Sequence, residues 1–139
     1  MSGKRLFVTN SDTFTLAVMY TKEGDFKVSI ESDIKPEDLD KWEKFEIEFN
    51  SPDFGTAKAI MRNSTDYSNG SHVLNVSAFN NALLTALSRK WNLKDEDGKE
   101  IPIDLQKLNE LRPDIVRAFI ELIQEKLTKD GVYEAILLS

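Results

Sequence analysis

The spacing of apolar residues changes at Asn50, and this change constrains the fold more than any other feature of the sequence. Before Asn50, apolar and polar residues alternate through residues 14–20, 26–30 and 45–49, as in strands that bury one face. After it, apolar residues recur about every 3.6 positions, the period of amphipathic helices. This order predicts an α+β fold, with about three N-terminal antiparallel strands followed by a helical C-terminal half of three to four helices. A strand module followed by a separate helical module is the alternative.

Turn-forming residues divide the strand-rich part. Residues 22–25 suit a hairpin connection between the first two strands, because Gly24 can adopt a positive φ. Between the second and third strands, Pro36 can begin one or two helical turns that present Leu39 and Trp42 on one side. A crossover loop is the alternative for this segment.

Capping residues mark the helices in the second part of the chain. Ser51 as N-cap and Pro52 at the first helical position predict a helix that ends near Arg62. Ser77 is the predicted cap of the next helix. The apolar stripe of that helix is expected to consist of Phe79, Leu83, Leu84, Leu87 and Trp91.

The last long helix has the clearest boundary signals. Asp104 can cap a short helix before it, and Pro113 can occupy its first position. The helix is expected to extend to about Lys129, where Gly131 is placed to stop it. Its inward-facing residues are expected to be Ile115, Val116, Phe119, Ile120, Ile123 and Leu127.

Length and composition describe one ordinary globular domain. The chain has 139 residues, 40% apolar and 30% charged, so we expect a single domain over 1–139, with a strand-rich part (1–50) and a helical part (51–139). The net charge of −6 opposes binding to nucleic acid phosphates. The lack of cysteine excludes disulfides and thiolate metal sites. Residues 1–20 show neither a signal peptide nor a membrane span, so we expect no membrane partner.

The polar residues predict neither catalysis nor a cofactor. His72 is the only histidine, and it lies beside a polar run, residues 63–71, that we expect to form a mobile loop. General acid or base catalysis needs a positioned partner, for which the sequence offers no pattern. The six glycines are isolated from one another, so a phosphate-binding glycine loop is excluded.

A charged segment, residues 94–100, is the most unusual polar feature. Six of its seven residues are charged around Gly98, which predicts a solvated turn. Acidic residues alternate before this glycine as they do in a calcium-binding loop, but Leu93 occupies the first ligand position. We therefore expect a turn without a metal.

Apolar side chains are the remaining candidates for function, and two groups of them are notable. The two amphipathic helices, the one after Ser77 and the one after Pro113, form the first group, because a protein that binds a partner helix needs an apolar groove. The sequence does not decide which of their two stripes is left open. The second group is the C-terminal segment, which stays apolar almost to the last residue and forms either a final packed strand or an adhesive tail. The candidate protein-binding residues are Phe119, Ile123, Leu127, Val132, Tyr133, Ile136 and Leu137.

Three short motifs resemble those of a known family. W-N-L-x-D-E-D-G-K-x-I-P begins at Trp91, and L-R-P-D-I-V begins at Leu111. Residues 45–54, F-E-I-E-F-N-S-P-D-F, resemble the strand and proline that precede the helical part in that family. Over residues 45–127 the chain resembles the tail assembly chaperones of long-tailed bacteriophages, in which Trp91 is the anchor before the acidic turn.

The resemblance implies a protein without enzymatic activity that acts in the host cytoplasm. Tail assembly chaperones bind the long, largely helical tape measure protein and keep it soluble while tail tube subunits assemble around it. They are absent from the finished virion. The implied partner is therefore the tape measure protein, with the tail tube protein as a second candidate. The family often makes a longer product by ribosomal frameshifting, and this chain would then be the short form.

Two other functions are compatible with the sequence. One is a small structural or adaptor protein of the phage tail, neck or baseplate. The other is a phage inhibitor whose acidic surface binds a host protein. The sequence sets neither the client-binding surface nor the oligomeric state.

Overall fold

In residues 4–66 and 73–138, which a computed structural model describes, the chain forms six β-strands and five α-helices. The strands are β1 Thr13–Thr21, β2 Val28–Ser29, β3 Trp42–Asn50, β4 Thr65–Asp66, β5 Val73–Leu74 and β6 Ser88–Trp91. The helices are α1 Phe54–Asn63, α2 Val76–Leu87, α3 Leu105–Asn109, α4 Pro113–Lys129 and α5 Val132–Leu137. One antiparallel sheet has the order β2-β1-β3-β6, and β4 pairs with β5 separately. The predicted α+β class is confirmed, with more strands and one more helix than expected.

β1 and β3 form the centre of the sheet, and their apolar residues lie opposite each other. The apolar cross-strand pairs are Phe14–Phe49, Leu16–Ile47 and Val18–Phe45. Because side chains alternate across a strand, these pairs share one face of the sheet. Gly24 has a φ of 75° in the turn after β1, as expected. β2 is shorter than predicted, and Phe26 before it stacks on Tyr20 with ring centroids 5.9 Å apart.

The segment between β2 and β3 forms the predicted helical turns. Pro36–Lys41 is a 3₁₀ helix with Pro36 in its first turn. Trp42 does not share a helical face with Leu39, because Trp42 already belongs to β3, where it pairs with Thr21. The helical turns therefore end at Lys41, one residue before Trp42, which the sequence predicts to be their last apolar residue.

The fourth strand of the main sheet is not predicted by the sequence. The expected helical stripe includes Trp91, but α2 ends at Leu87 and Trp91 is the last residue of β6. Trp91 pairs with Ile47 of β3, and its ring lies 5.9 Å from that of Phe45. The sequence predicts Trp91 on the helical stripe because it lies four residues after Leu87, a spacing that suits a helix. This prediction is wrong. The strand instead depends on the edge of β3, which is distant in sequence.

Two helices begin at other caps than those predicted. Asp53, not Ser51, caps α1, and its carboxylate accepts a hydrogen bond of 2.7 Å from the amide of Thr56. Asn75, not Ser77, caps α2, and its Oδ1 accepts a hydrogen bond of 3.0 Å from the amide three residues later. Each segment contains several good capping residues in succession. Local capping preference alone therefore does not select between them.

The boundaries of the last helices are closer to the prediction. Asp104 caps α3 by accepting a hydrogen bond of 2.8 Å from the Lys107 amide, and Pro113 begins α4, which ends at Lys129 as expected. Gly131 has a φ of 73° between α4 and α5. The C-terminal segment is a helix rather than a strand or a free tail, because α5 packs against α1 and α4.

Strands and helices share one hydrophobic core. α4 lies against the sheet, where the Phe119 ring contacts Phe45 edge-on with centroids 5.2 Å apart and Phe49 with centroids 6.3 Å apart. The buried members of the core are Val18, Phe45, Ile47, Phe49, Ile60, Phe79, Leu83, Leu84, Leu87, Trp91, Leu108, Ile115, Phe119, Ile123 and Leu127. Residues of both parts of the chain therefore exclude water from the same interior.

The polar run expected to be a loop is only partly described by the structure. α1 extends to Asn63, and Thr65–Asp66 pairs with Val73–Leu74 as two short strands. The loop prediction is therefore wrong at the start of the run. Residues 67–72, which include His72, lie outside the described residues.

Candidate functional site

An open groove of about 930 Å³ lies between α2, α3 and α4. Its lining consists of Asn80, Asn81, Ala82, Leu84, Thr85, Leu105, Leu108, Asn109, Leu111, Pro113, Val116, Arg117, Ile120, Glu121 and Gln124. The residues come from segments that are well separated in sequence. Tertiary packing, including that of α2 against α4, brings them together.

The floor of the groove is apolar because α4 carries two adjacent ridges of apolar residues. The first ridge, at four-residue spacing, is buried against the sheet and includes Ile115, Phe119 and Ile123. The second ridge, Val116 and Ile120, is one position further round the helix and is only half-buried in the groove. The sequence predicts that all of these side chains face inward, whereas the second ridge borders an opening.

The short helix α3 forms the third wall. Asp104 caps the helix, which therefore begins at Leu105. Leu105 and Leu108 are three positions apart and are neighbours on the helix surface. Leu108 is buried in the core, whereas Leu105 remains 61% exposed. A leucine with this exposure beside an apolar floor marks the groove as a surface that can bury more apolar area.

The rim of the groove is polar but carries little charge. Gln124 Nε2 donates a hydrogen bond of 2.8 Å to Asn80 Oδ1 and thereby links α4 to α2. The Arg117 guanidinium and the Glu121 carboxylate are 3.2 Å apart on the same helix. These two are the only charged residues in the lining, so the described groove has no net charge, in contrast to the −6 of the chain.

Titratable side chains take little part in the groove. Among residues 4–66 and 73–138, no three His, Asp or Glu side chains are grouped as metal ligands would be. Burial raises the pKa of Tyr133 above its ordinary value of 10.0, but this residue lies on α5 and outside the groove. The groove therefore favours association with an apolar partner surface.

The structure separates the seven predicted protein-binding residues into core and surface. Phe119, Ile123 and Leu127 are at most 1% exposed and belong to the core, so they are inaccessible to a partner in this arrangement. Three residues of α5 are half-buried, namely Val132, Tyr133 and Ile136. Leu137 is 76% exposed and is the one residue of the seven that a partner can reach freely.

None of the groove residues is among the seven predicted protein-binding residues, although the apolar stripes of both helices are predicted and the sequence carries a signal for the groove. The stripe on α4 is wider than a single packing face, since Val116 and Ile120 follow directly after residues of the buried ridge. An apolar Leu105 immediately after the cap Asp104 is a second signal. Neither signal identifies α2 as the opposite wall, because that contact is tertiary.

The charged motif at residues 94–100 forms a tight turn beside the sheet. Asp95 Oδ1 accepts hydrogen bonds from the amides of Asp97 (2.9 Å) and Lys99 (3.0 Å). Gly98 has a φ of 79°, as the turn requires. The predicted solvated turn is confirmed, and the Asp95 carboxylate acts within it as a backbone acceptor.

Comparisons of the chain with protein-family models, with curated proteins and with solved structures found no match. Within the part of the chain that the structure describes, no helix has both the length and the apolar character needed to cross a bilayer. Function is therefore inferred from the groove and from the sequence motifs.

Proposed function

We propose that this chain is a non-enzymatic tail assembly chaperone of a long-tailed bacteriophage, which binds the tape measure protein in the host cytoplasm and keeps it soluble during tail assembly. The groove between α2, α3 and α4 is the observation that supports this function most directly. It provides an apolar floor at the surface, which is what a protein that holds another chain in solution requires.

The dimensions of the groove suit a helical client. On α4 the lining extends from Pro113 to Gln124, roughly 17 Å at the standard helical rise. A client helix of about 12 residues matches this length. Because two of the three walls are long helices, such a client would pack by the same side-chain interdigitation that joins helices in bundles.

The remainder of the surface supports a solubilising role. The net charge of −6 disfavours self-association of the chaperone and of its complexes. The charged turn at residues 94–100 projects polar groups, and Trp91 anchors this turn to the core. In this proposal the motifs that resemble the family maintain the fold, and the groove binds the client.

Co-expression with the tape measure protein of the same phage genome tests the proposal. The soluble fraction of the tape measure protein, measured after centrifugation, should rise when this chain is present. Leu105→Lys should abolish the rise, because it places a charge beside the apolar floor. Leu137→Lys makes the same change at another exposed leucine, on α5, and should leave the rise intact.

Each outcome of the co-expression experiment leads to a different conclusion. If the tape measure protein is equally insoluble with and without the chain, the proposed function is wrong. If Leu137→Lys abolishes the rise and Leu105→Lys does not, the client binds the C-terminal helix rather than the groove. Circular dichroism of both variants confirms that they fold, which is expected because both leucines are largely exposed.

Purified virions provide an independent test against a structural role. A chaperone should be missing from the particle, so peptides of this chain should be absent from its mass spectrum. A stoichiometric signal would instead favour the adaptor function. Co-purification of the tail tube protein with the chain would establish the second candidate partner.

A further inference from the structure

The groove differs from the rest of the protein in its charge. Two of its fifteen lining residues are charged, whereas 30% of the whole chain is charged. The two charged side chains, Arg117 and Glu121, are 82% and 65% exposed and pair with each other at 3.2 Å, so the lining contains no unpaired charge. A charged group brought into the groove would therefore lose water without gaining an opposite charge.

The polar residues around the floor are mainly amides. Asn80 and Gln124 bond to each other across α2 and α4, and Asn81 and Asn109 lie on α2 and α3. An amide both donates and accepts hydrogen bonds, so it can pair with amide or hydroxyl side chains of a partner without requiring a charge. The rim is thus complementary to neutral polar groups.

We propose that the groove selects a helix whose contact face is uncharged, with aliphatic side chains along its centre and amide or hydroxyl side chains along its edges. This inference rests on the proposed function, because it specifies the chemistry of the client segment. α3 has five residues and α4 has seventeen, so the short helix leaves most of the α4 ridge available to such a partner. The neutral lining excludes acidic and basic helices by the same desolvation penalty.

Three synthetic helices distinguish this proposal from general stickiness. Each has about 14 residues, a hydrocarbon staple on its outer face, a fluorescent label and the same aliphatic centre. Their edges carry Gln and Ser, Lys, or Glu. Fluorescence anisotropy at physiological salt should show the neutral helix binding at least about tenfold tighter than either charged helix, since leaving one charge unpaired is worth more than that factor.

A charge placed in the rim should change the preference in a predictable direction. Asn81→Asp should strengthen binding of the Lys-edged helix by about fivefold or more, since fivefold is the effect of one unit charge at close range in bulk water and the effect grows where water is excluded. The same variant should weaken binding of the Glu-edged helix. Asn10→Asp adds the same charge at an exposed position outside the groove and should change neither affinity.

Several results would overturn the inference. Equal affinities of the three helices would show that the groove does not discriminate by charge. Tightest binding of the Lys-edged helix, weakened by salt and unaffected by Leu105→Lys, would assign binding to the acidic surface instead. A Leu105-dependent dimer seen by sedimentation, with no helix bound, would make a second copy the occupant.

The inference and the proposed function fail separately. If no synthetic helix binds but the tape measure protein is still kept soluble, the inference is wrong and the function stands with another surface. If the neutral helix binds the groove but the tape measure protein stays insoluble, the groove recognises a different helical partner. The peptide and co-expression measurements together identify which statement has failed.

Discussion

Trp91 donates a hydrogen bond of 2.6 Å from its indole Nε1 to the carbonyl oxygen of Ile101. The two residues stand on opposite sides of the charged turn, and the amide of Ile101 also donates to the Leu93 carbonyl at 3.0 Å. Because the Trp91 ring is buried against the sheet, the bond attaches a solvated turn to the hydrophobic core. The motif that resembles the phage family is therefore a structural anchor.

Replacing Trp91 should show how much its hydrogen bond to Ile101 stabilises the fold. Trp91→Phe keeps a buried ring but leaves the Ile101 carbonyl without its donor, so the free energy of unfolding should fall by about 2 kcal/mol. Urea denaturation followed by circular dichroism gives this value. Trp42→Phe is the matched control, since Trp42 is half-buried and should change stability by less than about 1 kcal/mol. Equal losses in the two variants would contradict the anchoring role.

Asn92 extends the edge of the sheet with its side chain. Its Oδ1 accepts a hydrogen bond of 3.0 Å from the Glu46 amide, and its Nδ2 donates one of 3.0 Å to the Lys44 carbonyl. Asn92→Ala should lower the free energy of unfolding by about 1 kcal/mol and should accelerate hydrogen exchange at the Glu46 amide. Asn109→Ala removes another exposed amide and should leave that exchange rate unchanged. Unaltered exchange at Glu46 in Asn92→Ala would refute this pairing.

Adjacent residues of α4 should separate folding from client binding. Phe119→Ala creates a cavity beneath the sheet and should lower the free energy of unfolding by about 3–5 kcal/mol. Ile120→Ala should lower it by about 1–2 kcal/mol, because Ile120 is only half-buried in the groove. Ile120→Ala should nevertheless weaken retention of the client in the co-expression assay. Similar stability losses for both variants would contradict the assignment of the two ridges.

Tyr133 should make the protein sensitive to alkaline pH. Burial raises the pKa of this tyrosine above 10.0, so above pH 10 its phenol ionises more readily in the unfolded chain than in the folded protein. Its contribution to stability is complete below pH 10 and is lost as the pH rises towards the folded pKa. Tyr133→Phe should therefore lose less stability than the original protein between pH 9 and pH 11, measured by urea denaturation at each pH.

The same substitution tests the Tyr133 hydroxyl at neutral pH. This oxygen is buried and has no hydrogen-bond partner among residues 4–66 and 73–138, while the ring packs 5.8 Å from Phe79. Tyr133→Phe keeps the ring and should maintain the free energy of unfolding or raise it by up to about 1 kcal/mol. A loss of 2 kcal/mol or more would show that the hydroxyl makes a stabilising bond.

Local sequence signals account for the elements that depend on neighbouring residues. The alternation in β1 and β3, the positive φ at Gly24 and the span of α4 follow from periodicity and from capping preferences. These features are predictable because the interactions that create them act within a few positions. The inward ridge of α4, including Phe119, is predictable for the same reason.

The role assigned to the predicted binding residues changes once the sheet is known. Phe119, Ile123 and Leu127 have the spacing of an apolar helix face, and spacing alone is the same for a face that binds a partner and one that packs on a sheet. The structure places the sheet against this ridge, so these side chains belong to the core. Within the groove, the accessible apolar surface lies on the neighbouring ridge and at Leu105.

The sequence by itself determines the α+β class, the alternating strands β1 and β3, the long helix that begins at Pro113 and the charged turn, because each is specified by local periodicity or by a local conformational preference. Only the tertiary structure decides that residues 88–91 form the fourth strand, since their partner is the distant edge of β3. It also decides where the groove lies. The groove combines residues from position 80 to position 124, and their proximity results from the packing of α2 against α4 and from the burial of Leu108 of α3 in the shared core.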